Sequence, residues 1–351
     1  MPSKPNLSIL IPSCNRPAKL LRQAINLFRL TKIKSATDRI RLDSIKIVIA
    51  ENTSLECVGS QELRSTFLSI LEYLKSYINI TYFDCKDYSF SQRLSFLSTN
   101  ADTDYSMFLG DDDLPIFTSI LDILQLARNE GCSSAVGRYA NLTYIRPFNF
   151  RFSFAERPYC NFILDDKSSL VRLAHYHILN SIGTSSTFYA LQETNILKDF
   201  AEIILKNEKD LYYAGYEGIH QAHTISSGKT LFSDIPYLVR DFNYSNYIRE
   251  DLREAPETDS VPYAGNRSIQ ISSEIISNSL ASTVSQAECY NYLINSRRLS
   301  AMLQVDREIM RQFIEKVEYN QHFLEMINPN ELNSIMYSYD KMFRFVSSER
   351  Q

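Results

Sequence analysis

The chain has 351 residues, 44% hydrophobic and 22% charged, with a formal net charge of −4. That is an ordinary globular composition for one large domain, or a domain plus an appendage, and the acidic balance argues against a nucleic-acid binder. No uninterrupted apolar run approaches the roughly 18 to 20 residues that span a bilayer, and the five-residue apolar stretch near the N-terminus is too short for a signal-peptide core, so a cytoplasmic location is expected.

In chain order, "LSILI" (7–11) reads as a buried strand running into Pro12. A helix follows from "NRPAKLLRQAINLFRL": Asn15 is a capping type, Pro17 fits the first turn, and Leu20, Leu21, Ala24, Leu27 and Phe28 share a face. Residues 44–50 form a second strand, 61–77 repeat apolar side chains at helical spacing, and 78–84 form a third strand. A short helix over 89–99, a fourth strand over 105–109 and a helix over about 117–130 complete the first half. This βαβα order predicts an α/β fold, Rossmann-like, with a mostly parallel sheet flanked by helices. Residues 135–245 are richer in short β-like runs. Three segments are expected: a main domain over 1–248, a charged, Pro-bearing loop or linker over 249–268, and a helical C-terminal appendage over 269–351.

Charge is uneven. Residues 1–50 hold ten Lys or Arg and only two acids, Asp38 and Asp43. This is either a solvated basic helix and loop or a face for phosphate or anionic lipid, which would be a peripheral membrane contact at the inner face of the membrane. The six cysteines are scattered without metal spacing and read as free thiols in a reducing compartment.

"YSMFLGDDDLP" (105–115) sets Asp111, Asp112 and Asp113 directly behind an apolar strand, with no basic residue in the segment. One aspartate suffices to cap a helix starting near Leu114 and Pro115. Three in succession suggest a hard divalent cation, Mg²⁺ or Mn²⁺, shared with substrate phosphates. The ends of the other strands carry Ser13, Asn15 and Arg16, and then Glu51, Asn52, Thr53 and Ser54. Ligands of open α/β sheets bind beyond such strand ends.

These segments together resemble the family 2 nucleotide-sugar glycosyltransferases of the GT-A fold. "LSILIPSCNRPAKLLRQAINLF" is similar to that family's opening strand, turn and helix, "KIVIAENTS" to its second strand, and "YSMFLGDDDLP" to its metal-binding D-x-D segment. "GYEGIHQAHTISSGKTLFSDIPYLVRD" (215–241) resembles a later block more loosely, so the resemblance covers about residues 7 to 245.

The resemblance implies an inverting transfer from a nucleotide-sugar donor to a glycan or lipid-linked glycan acceptor, in bacterial surface polysaccharide synthesis. Pro12, Ser13, Asn15, Arg16 and Asn52 would then lie at the nucleotide, with Glu51 where the family usually has Asp, reading base or ribose. In the D-x-D slot, Asp112 is the metal ligand if Gly110 occupies the first acidic position; a slip by one makes Asp111 and Asp113 the pair. Glu217 is the acid matching the acceptor base, with Asp210 in reserve, and Arg240 is a diphosphate contact or an ion pair with Asp241. His220 and His223, one helical turn apart, are either a phosphate or metal contact or packed side chains. Among the many aromatic residues, Tyr139, Tyr144, Tyr212 and Tyr213 are candidates to stack on sugars. Two other readings share the architecture: a sugar-phosphate nucleotidyltransferase, disfavoured by the lack of glycine after the first strand, and a non-catalytic scaffold or glycan-binding protein, for which clustered acids would be a cost without a use.

Overall fold

The computed structural model of the protein describes residues 6–33, 42–53, 60–146, 149–154, 161–181, 187–211, 213–241, 270–275, 277–278, 285–291 and 325–348. The expected linker over 249–268 lies outside the described residues.

The first half alternates as the sequence predicts: β1 (Leu7–Cys14), α1 (Pro17–Thr31), β2 (Ile45–Asn52), α2 (Ser60–Leu74), β3 (Asn79–Asp84), α3 (Phe90–Thr99) and β4 (Tyr105–Phe108). Then come β5 (Asp113–Pro115), α4 (Phe117–Asn129), β6 (Ser134–Arg146), β7 (Asn149–Phe154), β8 (Phe162–Leu164) and α5 (Ser169–Ser181). β9 (Leu191–Glu193), α6 (Thr194–Lys206), α7 (Tyr213–Ser227), β10 (Thr230–Asp241) and a C-terminal helix (Pro329–Ser348) follow. All belong to one ten-stranded sheet with the order β3-β2-β1-β4-β9-β6-β10-β5, where β7 pairs with β6 and β8 with β10. β1 is parallel to both β2 and β4, and β2 to β3, so these strands all end at one edge.

The core follows from the apolar runs. Leu7, Ile9 and Leu10 of β1 and Ile45 and Val48 of β2 are fully buried, with helices on both faces. α1 begins with Pro17, whose ring presets the first turn, and Leu20, Leu21, Ala24, Leu27 and Leu30 face the sheet. The tight passage from β1 into α1 puts Asn15 at φ 53°, a left-handed conformation that asparagine tolerates better than most side chains. Two helices in the middle region, α5 and α6, stand where the sequence reading emphasises β-like runs. In α6, Ile196, Leu197, Phe200, Ala201 and Ile204 recur at helical spacing and are buried.

A helix does not start at Leu114 and Pro115. Asp113–Pro115 instead forms a short edge strand antiparallel to β10, where Pro115 forfeits no central ladder bond. α4 starts at Phe117 behind Ile116, which offers no side-chain cap. The cap comes from the C-terminal helix: Glu331, 1% exposed, accepts the Thr118 N–H at 3.0 Å. That helix is no free appendage. Ile335 and Tyr339 join Leu114, Ile116, Ala140, Leu142 and Val239 in a second apolar cluster, and the Ser334 hydroxyl donates to the Asn26 carbonyl at 2.9 Å. Among the described residues no helix is long and apolar enough to cross a membrane. Cys85, Cys132 and Cys289 are free thiols.

Burial pushes the Glu331 carboxyl from its ordinary 4.5 up to about 7, against the pull of the Thr118 and Phe117 N–H groups. A group raised on folding contributes its full stability below its unfolded value and loses it as pH rises through the folded value. Glu331→Gln keeps the capping oxygen and removes the titration. Urea unfolding across pH should show wild type falling behind the Gln variant by about 1–3 kcal/mol as pH rises from about 4 to 8, with the two alike at the acid end. Parallel pH curves would mean that Glu331 ionises without cost.

Candidate active site

The strand order reverses at β1: the chain adds β2 and β3 on one side and returns to β4 on the other. In open α/β sheets the crevice at such a switch point is where ligands bind, and the acidic triplet sits there. The Ser13 hydroxyl at the end of β1 donates to Asp111 Oδ2 at 2.7 Å. Arg16, just before α1, reaches Asp111 Oδ1 and Asp112 Oδ2, each at 3.2 Å. Arg22 donates to the Asp112 carbonyl, and the Gln23 amide donates to the carbonyls of both Gly110 and Asp113 at 2.9 Å. From the other side, Arg240 on β10 approaches Asp113 Oδ1 at 3.8 Å and lies over the rings of Tyr139 and Tyr189, at 5.3 and 5.5 Å.

The three aspartates therefore differ. Asp111 is fully buried, Asp113 is 2% exposed, and the Asp112 side chain is 39% exposed. Burial pushes Asp111 up to about 6, with Arg16 opposing and the Asp112 charge adding to the shift. Burial and the neighbouring Asp112 charge push Asp113 up to about 7, against Arg240, Arg22 and Tyr189. The side chains crowd around Gly110: a Cβ there would meet Asp112 Oδ1 at 2.8 Å, and Asp113 Oδ2 and the Tyr189 hydroxyl at 3.3 Å.

Among the described residues no group of three or more His, Cys, Asp or Glu is placed to hold a metal ion. A cation at the triplet would thus not have an all-protein cage. Mg²⁺ does not require one, since it takes one or two carboxylates and completes its shell with water and substrate phosphate. The open carboxylate of Asp112, and Asp111 Oδ1, which is ion-paired with Arg16 at 3.2 Å but accepts no hydrogen bond, are hard oxygen ligands that suit such an ion.

Glu217 lies on α7, partly buried. Burial raises its carboxyl above the ordinary range, while the Arg240 charge draws it down. Asp210 ends a 3₁₀ turn (Glu208–Asp210) before α7; its side chain, like those of Tyr144, Tyr212, Tyr213 and Asp241, lies outside the described residues. His220 and His223 are packed side chains. His220 is fully buried, bonded to Gln192 at 2.9 Å and wedged against Phe188 and Phe200, and burial pushes it down to about 3. His223 bonds the Ile196 carbonyl at 3.0 Å.

At the end of β2, Glu51 is fully buried and its carboxylate is already occupied. It accepts from Thr53 at 2.5 Å, from Arg64 Nε at 2.9 Å and from Tyr82. Arg64 carries the network on to Asp84 at 2.7 Å. Asn52 beside it donates to the Tyr88 carbonyl at 3.0 Å, which also accepts from Arg93 at 2.8 Å; Pro12 lies half-buried on β1. Sequence reasoning missed Arg22, Gln23, Arg64, Arg93 and Tyr189. For α1 a signal existed: Lys19, Arg22, Gln23 and Asn26 make a polar stripe at helical spacing, and all four are buried.

No family model and no curated protein matches the chain. Solved structures do. S. aureus TarS 1-349 in complex with UDP-GlcNAc is 11% identical, with 98% of this chain and 92% of that one covered, at a TM-score of 0.50. This is the GT-A fold. S. aureus TarS 1-349 in complex with UDP, 10% identical, covers the same shares at 0.49. At this identity the likeness concerns the fold, and it spans the chain from β1 through the C-terminal helix.

Glu51 provides a test of the site's architecture. Removing one partner of a buried ion pair costs about 3–5 kcal/mol, and Arg64 keeps Asp84 as a partner, so Glu51→Gln should cost about 2–4 kcal/mol in the absence of any ligand. Thermal melting of the ligand-free variant checks this; an unchanged midpoint would mean that the carboxylate serves a ligand instead.

Proposed function

We propose that the protein is a nucleotide-sugar glycosyltransferase that transfers its sugar with inversion to a glycan acceptor. The observation that supports this reading is an exposed carboxylate on a buried acidic loop at the switch point of a GT-A fold, with Arg16 and Arg240 beside the loop. The donor's nucleotide lies along the ends of β1 and β2, near Pro12, Ser13, Asn15 and Asn52. Its diphosphate faces Asp112, Arg16 and Arg240. The UDP-GlcNAc held by TarS makes UDP-sugars the first donors to try. Glu51, locked by Arg64 and Tyr82, shapes the pocket wall rather than reading the base.

Asp112, with Asp111 behind it, would hold Mg²⁺ or Mn²⁺ against the diphosphate, and the bound ion would act as a Lewis acid on the leaving group. Arg240, oriented by the faces of Tyr139 and Tyr189, adds positive charge where the leaving diphosphate gains negative charge. The acceptor hydroxyl must lose its proton on the opposite side of the sugar, and Glu217 takes it. Its raised carboxyl makes it a stronger base than an ordinary glutamate, provided the pH lies above its own value.

Two measurements test the reading. Replacing Asp111, Asp112 and Asp113 together by Asn should abolish Mn²⁺-dependent UDP binding in calorimetry while leaving the circular dichroism of the fold intact; equal binding by that variant would reject the site. Glu217→Gln should leave UDP affinity nearly unchanged and lower turnover by roughly 10² to 10⁴. The acid limb of the wild-type rate profile should lie above the ordinary glutamate value of 4.5 and vanish in the variant. Near-normal transfer by the Gln variant would move the base to Asp210.

A further inference from the structure

The acidic loop is fixed less by its own segment than by α1, and α1 is in turn backed by the end of the chain. Arg22 is 3% exposed, with one face of its guanidinium over the Tyr339 ring at 4.2 Å while its Nη2 donates to the Asp112 carbonyl. Tyr339, 6% exposed, stands on the C-terminal helix, which Ser334 ties to Asn26 of α1 and Glu331 ties to the start of α4. A second stack, Arg29 over Tyr337 at 4.3 Å, joins the same two helices.

We propose that Tyr339 is a positioning residue for the donor site: its ring fixes the Arg22 guanidinium, which fixes the Asp112 peptide and so aims the one open carboxylate of the triplet. The chemistry favours an aromatic ring at this place. A ring face attracts the guanidinium without competing for its planar N–H groups, so Nη2 keeps its bond to the Asp112 carbonyl. An aliphatic side chain would fill the space and leave the cation without that attraction. The donor-site reading above is assumed for the functional consequence, whereas the ordering of the loop is a separate observable.

The test uses the full-length chain with Tyr339→Phe, Tyr339→Leu, Tyr339→Met and Arg22→Gln. Hydrogen exchange reads the segment 105–115, where the Asp113 N–H bonds the Gly110 carbonyl at 3.2 Å. UDP with Mn²⁺ is the binding probe. Tyr339→Leu should speed exchange at Asp113 and weaken UDP binding, each by about three- to thirtyfold. Tyr339→Phe should restore both, and the Leu change should add nothing once Arg22 is Gln.

Wild-type exchange at Asp113 in the Leu variant overturns the proposal, as does equal damage by Phe, or losses at Arg22 and Tyr339 that multiply. A speeding of exchange in α2 as large as that at Asp113, with both Leu and Met, also overturns it in favour of plain packing. Absence of UDP binding by wild type counts against the donor site, and exchange at Asp113 then still decides the role of Tyr339.

Discussion

Three adjacent carboxylates at the end of a buried strand must be neutralised or the sheet edge cannot close. A like-charged pair at about 4 Å costs about 4 kcal/mol at an effective dielectric of 20. The cations come from outside the segment: Arg16 and Arg22 from the β1–α1 connection and α1, and Arg240 from β10. The neutral donors Ser13 and Gln23 fill the remaining geometry. This explains why α1 buries a polar stripe under its apolar one, and why β5 lies against β10.

The same arrangement divides the labour among the aspartates. Asp111 and Asp113 are buried against protein partners and lean towards the protonated form, so they act as the foundation of the loop. Asp112 keeps its carboxylate open to solvent and to whatever arrives there. A comparable division operates at β2. Glu51 reaches one carbon further than aspartate, and that length lets it meet Arg64 on α2 and Tyr82 on β3 together. Under the proposed reading, Asn52, beside Tyr88 and Arg93, would be the side chain left to meet a nucleotide at this edge.

The first half of the fold was legible because each strand is a short apolar run and each helix an amphipathic period, so β1 through α4 fall close to the expected residues. The acidic loop stood out in the sequence as well, but not the burial of Asp111 and Asp113 against protein partners. What composition could not reveal was long-range pairing. Nothing local tells that Asp113 pairs with Arg240, that Glu51 is consumed by Arg64, or that Glu331 caps α4. The C-terminal helix was readable as a helix but not as part of the core, because Ile335 and Tyr339 acquire meaning only beside Leu114 and Val239. Of the readings open for His220, the packed one holds: its position on α7 sets it against Phe188 and Phe200.

Arg240 links the two halves of the proposed chemistry. In the ligand-free protein its charge faces Asp113 and the tyrosine rings, and it also draws the Glu217 carboxyl down. A diphosphate bound at the loop brings negative charge to the same guanidinium, which weakens its field at Glu217. The opposing influence would then be reduced under the proposed reading, and Glu217 would bind protons more tightly with the donor in place. Under the proposed reading, base strength would then be tied to donor occupancy through one arginine, with no movement of the backbone. The two rings under Arg240 matter to this coupling because they fix the plane of the guanidinium beside Asp113. A lysine there would keep the charge but could not present a planar face to both rings, so nothing would fix its ammonium beside Asp113.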